Sequence, residues 1–334
     1  MRCMHQFLSV EDIHLLLRTW FPKGYRYIPL EKGLLNQNGI VREGSRTFLL
    51  KVYRPDMTQT HLHDVHAVMR VMLQNGVPVT HEEREASVQG AHVVLYAYLP
   101  GMNPGLYPRS LGRVHAMGDM LGRIHSILLQ HQQQLAVDPL MEWRNLKSPE
   151  DELSALALLM EDVRRKKPAH TDELLSILDE HRSWIESHAW DIARFASLPA
   201  QLCHGDYHTK NILFQNATLT GVLDWEKYGW GTQVSEVMRS IVFNCRRSPS
   251  ALHWSAVKAY VQAYRQHKTF SQEEARLAFP FVFQKMLFGT WAEKQYLAGD
   301  ARLWSNVIRR QAINRYFVKE ERRISARIED LLIS

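Results

Sequence analysis

The sequence predicts an α+β protein of two lobes: a small antiparallel β-sheet lobe with one helix at 1–98, and a larger, mainly α-helical lobe at 99–334. Three observations point there. The chain has 334 residues, about twice the usual length of one domain. Strand-like runs crowd into 25–98. Beyond the breaker Leu99-Pro100-Gly101, nearly every segment has a helical period.

Taken in order, Ser9-Val10-Glu11-Asp12 sets a hydroxyl three residues before an acid, ahead of the apolar series Ile13, Leu16, Leu17 and Trp20. This is the pattern of a helix with a capping box, and Phe21-Pro22-Lys23-Gly24 ends it. Short β-rich runs follow at Tyr27 to Leu30, Gly33 to Ile40 and Thr47 to Tyr53. His63 to Asn75 has helical spacing and stops at Gly76, after which Val77-Pro78-Val79 and Val93 to Tyr98 resume strand character. Helices are expected at Leu111 to Gln130, Glu150 to Arg165, Thr171 to His188, Leu252 to Gln266, and from Gln272 onward. The one β-like island of the second half is Gln201 to Trp225, where two apolar runs flank a Gln215-Asn216 turn.

Composition narrows the class. Hydrophobic residues at 45% and charged residues at 23% are ordinary for a folded globular chain. No apolar run approaches the roughly 20 residues that span a bilayer, and Met1 to Ser9 lacks the apolar core of a signal peptide. Three cysteines without CxxC spacing suggest neither a disulfide framework nor a zinc knuckle, so the cytoplasm is the expected compartment. The net charge of +6 is modest. The basic clusters Arg164 to Lys167 and Arg309 to Arg323 alternate with acids and apolar residues as solvated helix faces do, so neither a nucleic-acid nor a membrane partner is expected.

Chemistry concentrates in Cys203-His204-Gly205-Asp206-Tyr207-His208-Thr209-Lys210-Asn211, a loop immediately before an apolar strand. Asp224 ends the next strand, so a hairpin would hold Asp206, Asn211 and Asp224 close together. Phosphoryl transfer suits such a set: one carboxylate takes the acceptor's proton, while an amide oxygen and a second carboxylate hold magnesium on the phosphates. Lys51 sits between apolar residues at strand spacing, and an interior lysine needs an anion such as a nucleotide phosphate.

His204-Gly205-Asp206-Tyr207-His208-Thr209-Lys210-Asn211 matches the loop His-Gly-Asp-x-His-x-x-Asn, and Leu223-Asp224-Trp225-Glu226 follows with its Asp thirteen residues after Asn211. In these motifs the sequence resembles the aminoglycoside phosphotransferase and choline kinase superfamily, over roughly Leu30 to Ser240. The resemblance implies a bilobal protein-kinase-like fold and an ATP-dependent, magnesium-dependent kinase acting on a small-molecule acceptor. It makes Asp206 the catalytic base, Asn211 and Asp224 the magnesium ligands, and Lys51 the partner of the α and β phosphates. Tyr96, Ala97 and Tyr98 become the hinge whose backbone binds adenine, because Tyr98-Leu99-Pro100-Gly101 matches the family's hinge ending. His208 would contact phosphate or pack the loop, and His204 would orient the loop backbone. Three departures stand out. The acid expected to position Lys51 from the helix His63 to Asn75 has only Asp64 as a candidate. The phosphate-covering turn Gly33 to Gly39 has few glycines, leaving backbone amides and Asn36 to Asn38 to do the covering. Glu236 stands where many relatives carry an aspartate that ties the loop down.

Other readings of these residues are plainer. His204-x-Asp206-x-His208 could be a hydrolase metal site, but Asn211 and Asp224 fit magnesium-nucleotide chemistry better. His61, His63 and His66 read as surface residues or neighbours of the lysine, most of the nine tryptophans as core, and Lys210 as a solvated loop residue. No P-loop or dinucleotide fingerprint occurs. Gly205 and His208 stand where eukaryotic protein kinases carry arginine and lysine, so control by an activation loop is not expected. The acceptor stays open among aminoglycosides, amino alcohols, sugars and homoserine. A protein serine or threonine is the runner-up, since Lys51-Val52-Tyr53-Arg54-Pro55 also resembles stress-response kinases of the superfamily, and a silent nucleotide-binding module is the third reading.

Overall fold

Residues 7–30, 36–105, 110–135 and 147–334 are described by a computed structural model. In chain order the elements are α1 (Val10–Trp20), β1 (Arg26–Leu30), β2 (Gln37–Glu43), β3 (Arg46–Val52), α2 (Gln59–Gln74), β4 (Glu82–Val88), β5 (Ala91–Ala97), α3 (Leu111–His131), α4 (Pro149–Lys166) and α5 (Thr171–His188). After these come β6 (Ala200–Cys203), β7 (Ile212–Gln215), β8 (Thr218–Val222), β9 (Gly229–Thr232), α6 (Gln233–Asn244), β10 (Arg246–Ser248), β11 (Ala251–Leu252), α7 (Trp254–Tyr264), α8 (Gln272–Phe288), α9 (Trp291–Leu297) and α10 (Trp304–Ile333). The α+β class holds, with an antiparallel sheet in the N-terminal part and helices dominating beyond it.

The chain divides into two compact units. The first joins Met1–Pro104 with Gln130–Val137 and Lys210–Tyr228; the second joins Gly105–Leu129, Asp138–Thr209 and Gly229–Ser334. The β7–β8 hairpin therefore belongs with the N-terminal sheet.

In the first unit the strands run antiparallel in the order β1-β2-β3-β5-β4. Side chains alternate faces along a strand, so Phe48, Leu50 and Val52 of β3 share one face and join a core with Ile13, Leu17 and Phe21 at α1. Lys51 takes the opposite face. The capping box expected at α1 is present: Asp12 N–H donates to Ser9 Oγ and Ser9 N–H to the Asp12 carboxylate. Helix α2 starts a turn earlier than its apolar spacing suggests, at the cap Thr58. Val77 and Val79 are buried but not in a strand; Pro78 instead offers its carbonyl to Val222 N–H at 2.8 Å. Residues 33–35 of the expected phosphate-covering turn lie outside the described residues.

In the second unit β6 pairs antiparallel with β9, and the segment from Gln272 onward resolves into α8, α9 and α10. Gly118 and Gly122, one turn apart on α3, let α7 approach closely. A methyl at Gly118 would run into the Tyr260 carbonyl, and one at Gly122 would meet the Tyr264 carbonyl at 2.9 Å. Among the described residues, no helix is long and apolar enough to cross a membrane.

Candidate active site

In the first unit, the hairpin brings Asn211 and Asp224 to one end. Ile212 faces Val222 across the ladder, and Leu223 N–H donates to the Asn211 carbonyl at 2.8 Å. Asp224 adopts left-handed backbone angles, φ 64° and ψ 60°, which few residues other than glycine, asparagine and aspartate tolerate. The chain there turns into a short 3-10 segment, Trp225–Lys227, anchored by the buried Trp225 indole donating to the Val222 carbonyl at 3.2 Å. Asp224 and Glu226 thereby both reach Lys51. Lys51 Nζ lies 3.3 Å from Asp224 Oδ1 and forms an ion pair with Glu226. Burial opposes the ammonium charge, yet the two carboxylates hold its pKa above the ordinary lysine value.

The acid that positions Lys51 is therefore not Asp64 on α2. Glu226, with a side chain 8% exposed, holds the lysine, and α2 supplies His61, whose Nε2 lies 2.7 Å from the Glu226 carbonyl. Asn36 is likewise committed inside the unit. Its side-chain amide donates to both Glu226 oxygens at 2.8 and 3.1 Å and its side-chain oxygen accepts from Arg54 N–H, so this side chain is spent inside the unit. His66 is buried rather than on the surface, and its Nε2 meets the Tyr96 hydroxyl at 2.7 Å.

The expected hinge runs from the end of β5 into the chain beyond the sheet. Tyr96 has strand partners on both sides, Leu49 and Glu82, and its buried hydroxyl meets that of Tyr53 at 2.6 Å. Ala97 donates its N–H to the His81 carbonyl, and its carbonyl accepts from Thr80 Oγ1. Tyr98 lies beyond the sheet and is 44% exposed.

In the second unit, the loop after β6 is pinned almost residue by residue. Gly205 takes φ +82°, which suits glycine at the turn before Asp206. Glu236 accepts from His204 N–H at 2.9 Å and Gly205 N–H at 2.6 Å, so it ties the loop down as its position suggests. Buried His125 also meets Glu236 at 2.9 Å, and its other ring nitrogen meets the Tyr264 hydroxyl at 2.7 Å. Burial raises the proton affinity of Glu236, but the His125 contact and the loop amides outweigh it and hold its pKa below the usual range. His204 acts on the backbone as expected, its Nδ1 accepting from Asp206 N–H at 3.2 Å. Tyr207 donates to the Met117 carbonyl at 3.0 Å and Thr209 N–H to Asn244 Oδ1 at 2.9 Å.

So held, the Asp206 carboxylate is 8% exposed. Arg239 on α6 donates to its Oδ1, and His208 Nε2 lies 3.3 Å from the same oxygen with its ring tilted against Phe243. His208 thus lies between the Asp206 carboxylate and Phe243. Glu226 and Arg239 are the site residues that the sequence reading left without a role. Both had a signal: Glu226 lies two residues beyond Asp224, and Arg239 lies three beyond Glu236, on the same face of a helix.

Asn211 and Asp224 offer an amide and a carboxylate oxygen, hard donors of the kind magnesium takes. The Asp224 side chain is 41% exposed while its neighbour Glu226 is committed to Lys51 and Asn36, so these residues fit a divalent cation.

The chain is similar in sequence and structure to known proteins. A homoserine kinase from Granulibacter bethesdensis is 23% identical over 261 residues, 76% of each chain. Two solved structures share the fold with a TM-score of 0.60. The amicoumacin kinase in complex with AMP-PNP, Ca2+ and Ami is 14% identical, with 96% of this chain and 94% of that one covered. The microcompartment-associated aminopropanol kinase is 15% identical, with 94% and 98% covered. The family described as the phosphotransferase enzyme family matches residues 26–279, so the chain, with its protein-kinase-like fold, belongs to that family of aminoglycoside-phosphotransferase-type kinases.

Proposed function

We propose that the protein transfers the γ-phosphoryl group of ATP to a hydroxyl, or an amino group, of a small molecule, with residues 1–98 binding nucleotide and 99–334 presenting the acceptor. The observation that carries this reading is Asp206, a nearly buried carboxylate on a loop whose backbone is fastened by Glu236, His204, Tyr207 and Asn244. A base held this firmly needs little reorganisation when the acceptor arrives. It accepts the hydroxyl proton as the oxygen–phosphorus bond forms and the bond from the γ-phosphorus to the bridging oxygen of ADP breaks. Lys51, oriented by Glu226, places its charge on the α and β phosphates, and the backbone at Tyr98, just beyond the bonds that engage Tyr96 and Ala97, meets adenine. Asn211 and Asp224 hold magnesium, which would neutralise phosphate charge. The named relatives, all kinases of small molecules, support this acceptor class over a protein side chain.

The test is label transfer from γ-labelled ATP into a cell extract separated into metabolites and macromolecules, comparing wild type with Asp206→Asn. Label should enter the metabolite fraction and fall by about 10²–10⁴ in the variant, with nucleotide affinity retained. Label in a protein band would replace the acceptor class, and equal loss of binding and turnover would overturn the role of Asp206.

A further inference from the structure

We propose that Arg239 determines acceptor specificity: it selects a molecule carrying a carboxylate beside the hydroxyl that is phosphorylated. The inference rests on the reading of Asp206 as proton acceptor. Guanidinium is a planar fork of five donors that matches a carboxylate bidentately. Arg239 commits one arm, Nη2, to Asp206 Oδ1. The other arm, Nη1, is buried with no hydrogen-bond partner among the described residues. A buried donor without an acceptor is costly, and native structures rarely keep one without a reason. The side chain as a whole is 28% exposed, so a small ligand can approach it, and a turn of the enclosed Nη1 arm would bring the fork to that ligand.

Arg239 and a second guanidinium pack against the same ring. Arg239 Cζ lies 5.2 Å from the centre of the Phe243 ring, and the buried Arg246 guanidinium faces the same ring at 5.9 Å. A polycationic acceptor would meet the Arg239 guanidinium beside Asp206, whereas a carboxylate would complete its fork. One side chain would then hold both the base and the acceptor's recognition group, fixing the distance between the hydroxyl and Asp206.

Paired acceptors test this. L-homoserine is compared with 3-amino-1-propanol, L-serine with ethanolamine and L-threonine with 1-amino-2-propanol, each pair differing only in the carboxylate, for wild type, Arg239→Lys and Arg239→Met. Wild type should favour the carboxylated member of at least one pair by about 100-fold in kcat/KM, as sites built to bond a polar group reject analogues lacking it. Arg239→Met should bring that ratio close to one, chiefly through KM, and Arg239→Lys should recover part of it. Preference for the carboxylate-free members would overturn the inference, as would an equal loss on both members in Arg239→Met. Asp206-dependent turnover of kanamycin or choline but of no carboxylated acceptor would also overturn it, leaving the kinase reading intact. Absence of Asp206-dependent transfer to any acceptor would remove the kinase reading and this inference together.

Discussion

Each unit contains a knot of buried charge, and the two are built in opposite senses. In the first, a cation, Lys51, is gripped by two carboxylates, Asp224 and Glu226. In the second, an anion, Glu236, is gripped by His125 and the backbone N–H groups of His204 and Gly205. What separates them is how much is left open. Glu236 is 6% exposed and spends its oxygens on internal bonds, so it is architectural. Asp224 keeps two-fifths of its side chain accessible while Glu226 beside it is enclosed, so the first knot can still engage a ligand. Between these two knots, exposure separates a carboxylate still open to a ligand from one that is enclosed to hold a loop.

Four substitutions probe this contrast. Asp206→Asn should have the largest effect, on turnover as stated above. Glu236→Gln should cost about 3–5 kcal/mol of unfolding free energy, the range for breaking a buried pair, measured by urea titration at pH 7. A change below 1 kcal/mol would remove the distinction between the knots. Glu226→Gln should lower kcat/KM for ATP by about 10- to 100-fold, because Lys51 loses its buried partner and its orientation. Asp224→Asn should alter stability by no more than about 1 kcal/mol, as expected for a half-exposed pair, while abolishing magnesium-dependent turnover. A large loss of stability there would make Asp224 architectural too.

The knots should also respond at opposite ends of the pH scale. The pKa of Glu236 is held below its ordinary value of 4.5, so its stabilisation is complete above that value and is lost as pH falls through the depressed one. Lys51 is held above its ordinary value of 10.5, so its contribution is complete below that value and declines as pH rises beyond it. Urea midpoints of wild type and Glu236→Gln should converge as pH falls below 4.5, and those of wild type and Lys51→Met as pH rises above 10.5.

Legibility in the sequence followed locality. The α1 cap was readable because Ser9 and Asp12 are three residues apart. The β7–β8 hairpin was readable from two apolar runs around one turn, and α5 from its period. Strand β4 was not, because an edge strand reading Glu-Glu-Arg-Glu-Ala-Ser-Val has little apolar alternation to betray it. Helix α6 escaped because it is buried on nearly every side and so lacks the polar stripe by which amphipathic helices are recognised.

By itself the sequence determined the chemistry available: Asp206, Asn211 and Asp224 in their motif, Lys51 within a strand, and the order of sheet and helices. These are short-range properties, carried by spacing and side-chain type. Only the tertiary structure decided which groups neutralise which. Asn36 finds Glu226 across 190 residues, His125 finds Glu236 across 111, and Arg239 finds Asp206 across 33. Any of several carboxylates could have served each cation. The physical reason for the final pairing is burial, because a charge enclosed in the fold is tolerable only beside a specific partner, and folding alone brings the two together.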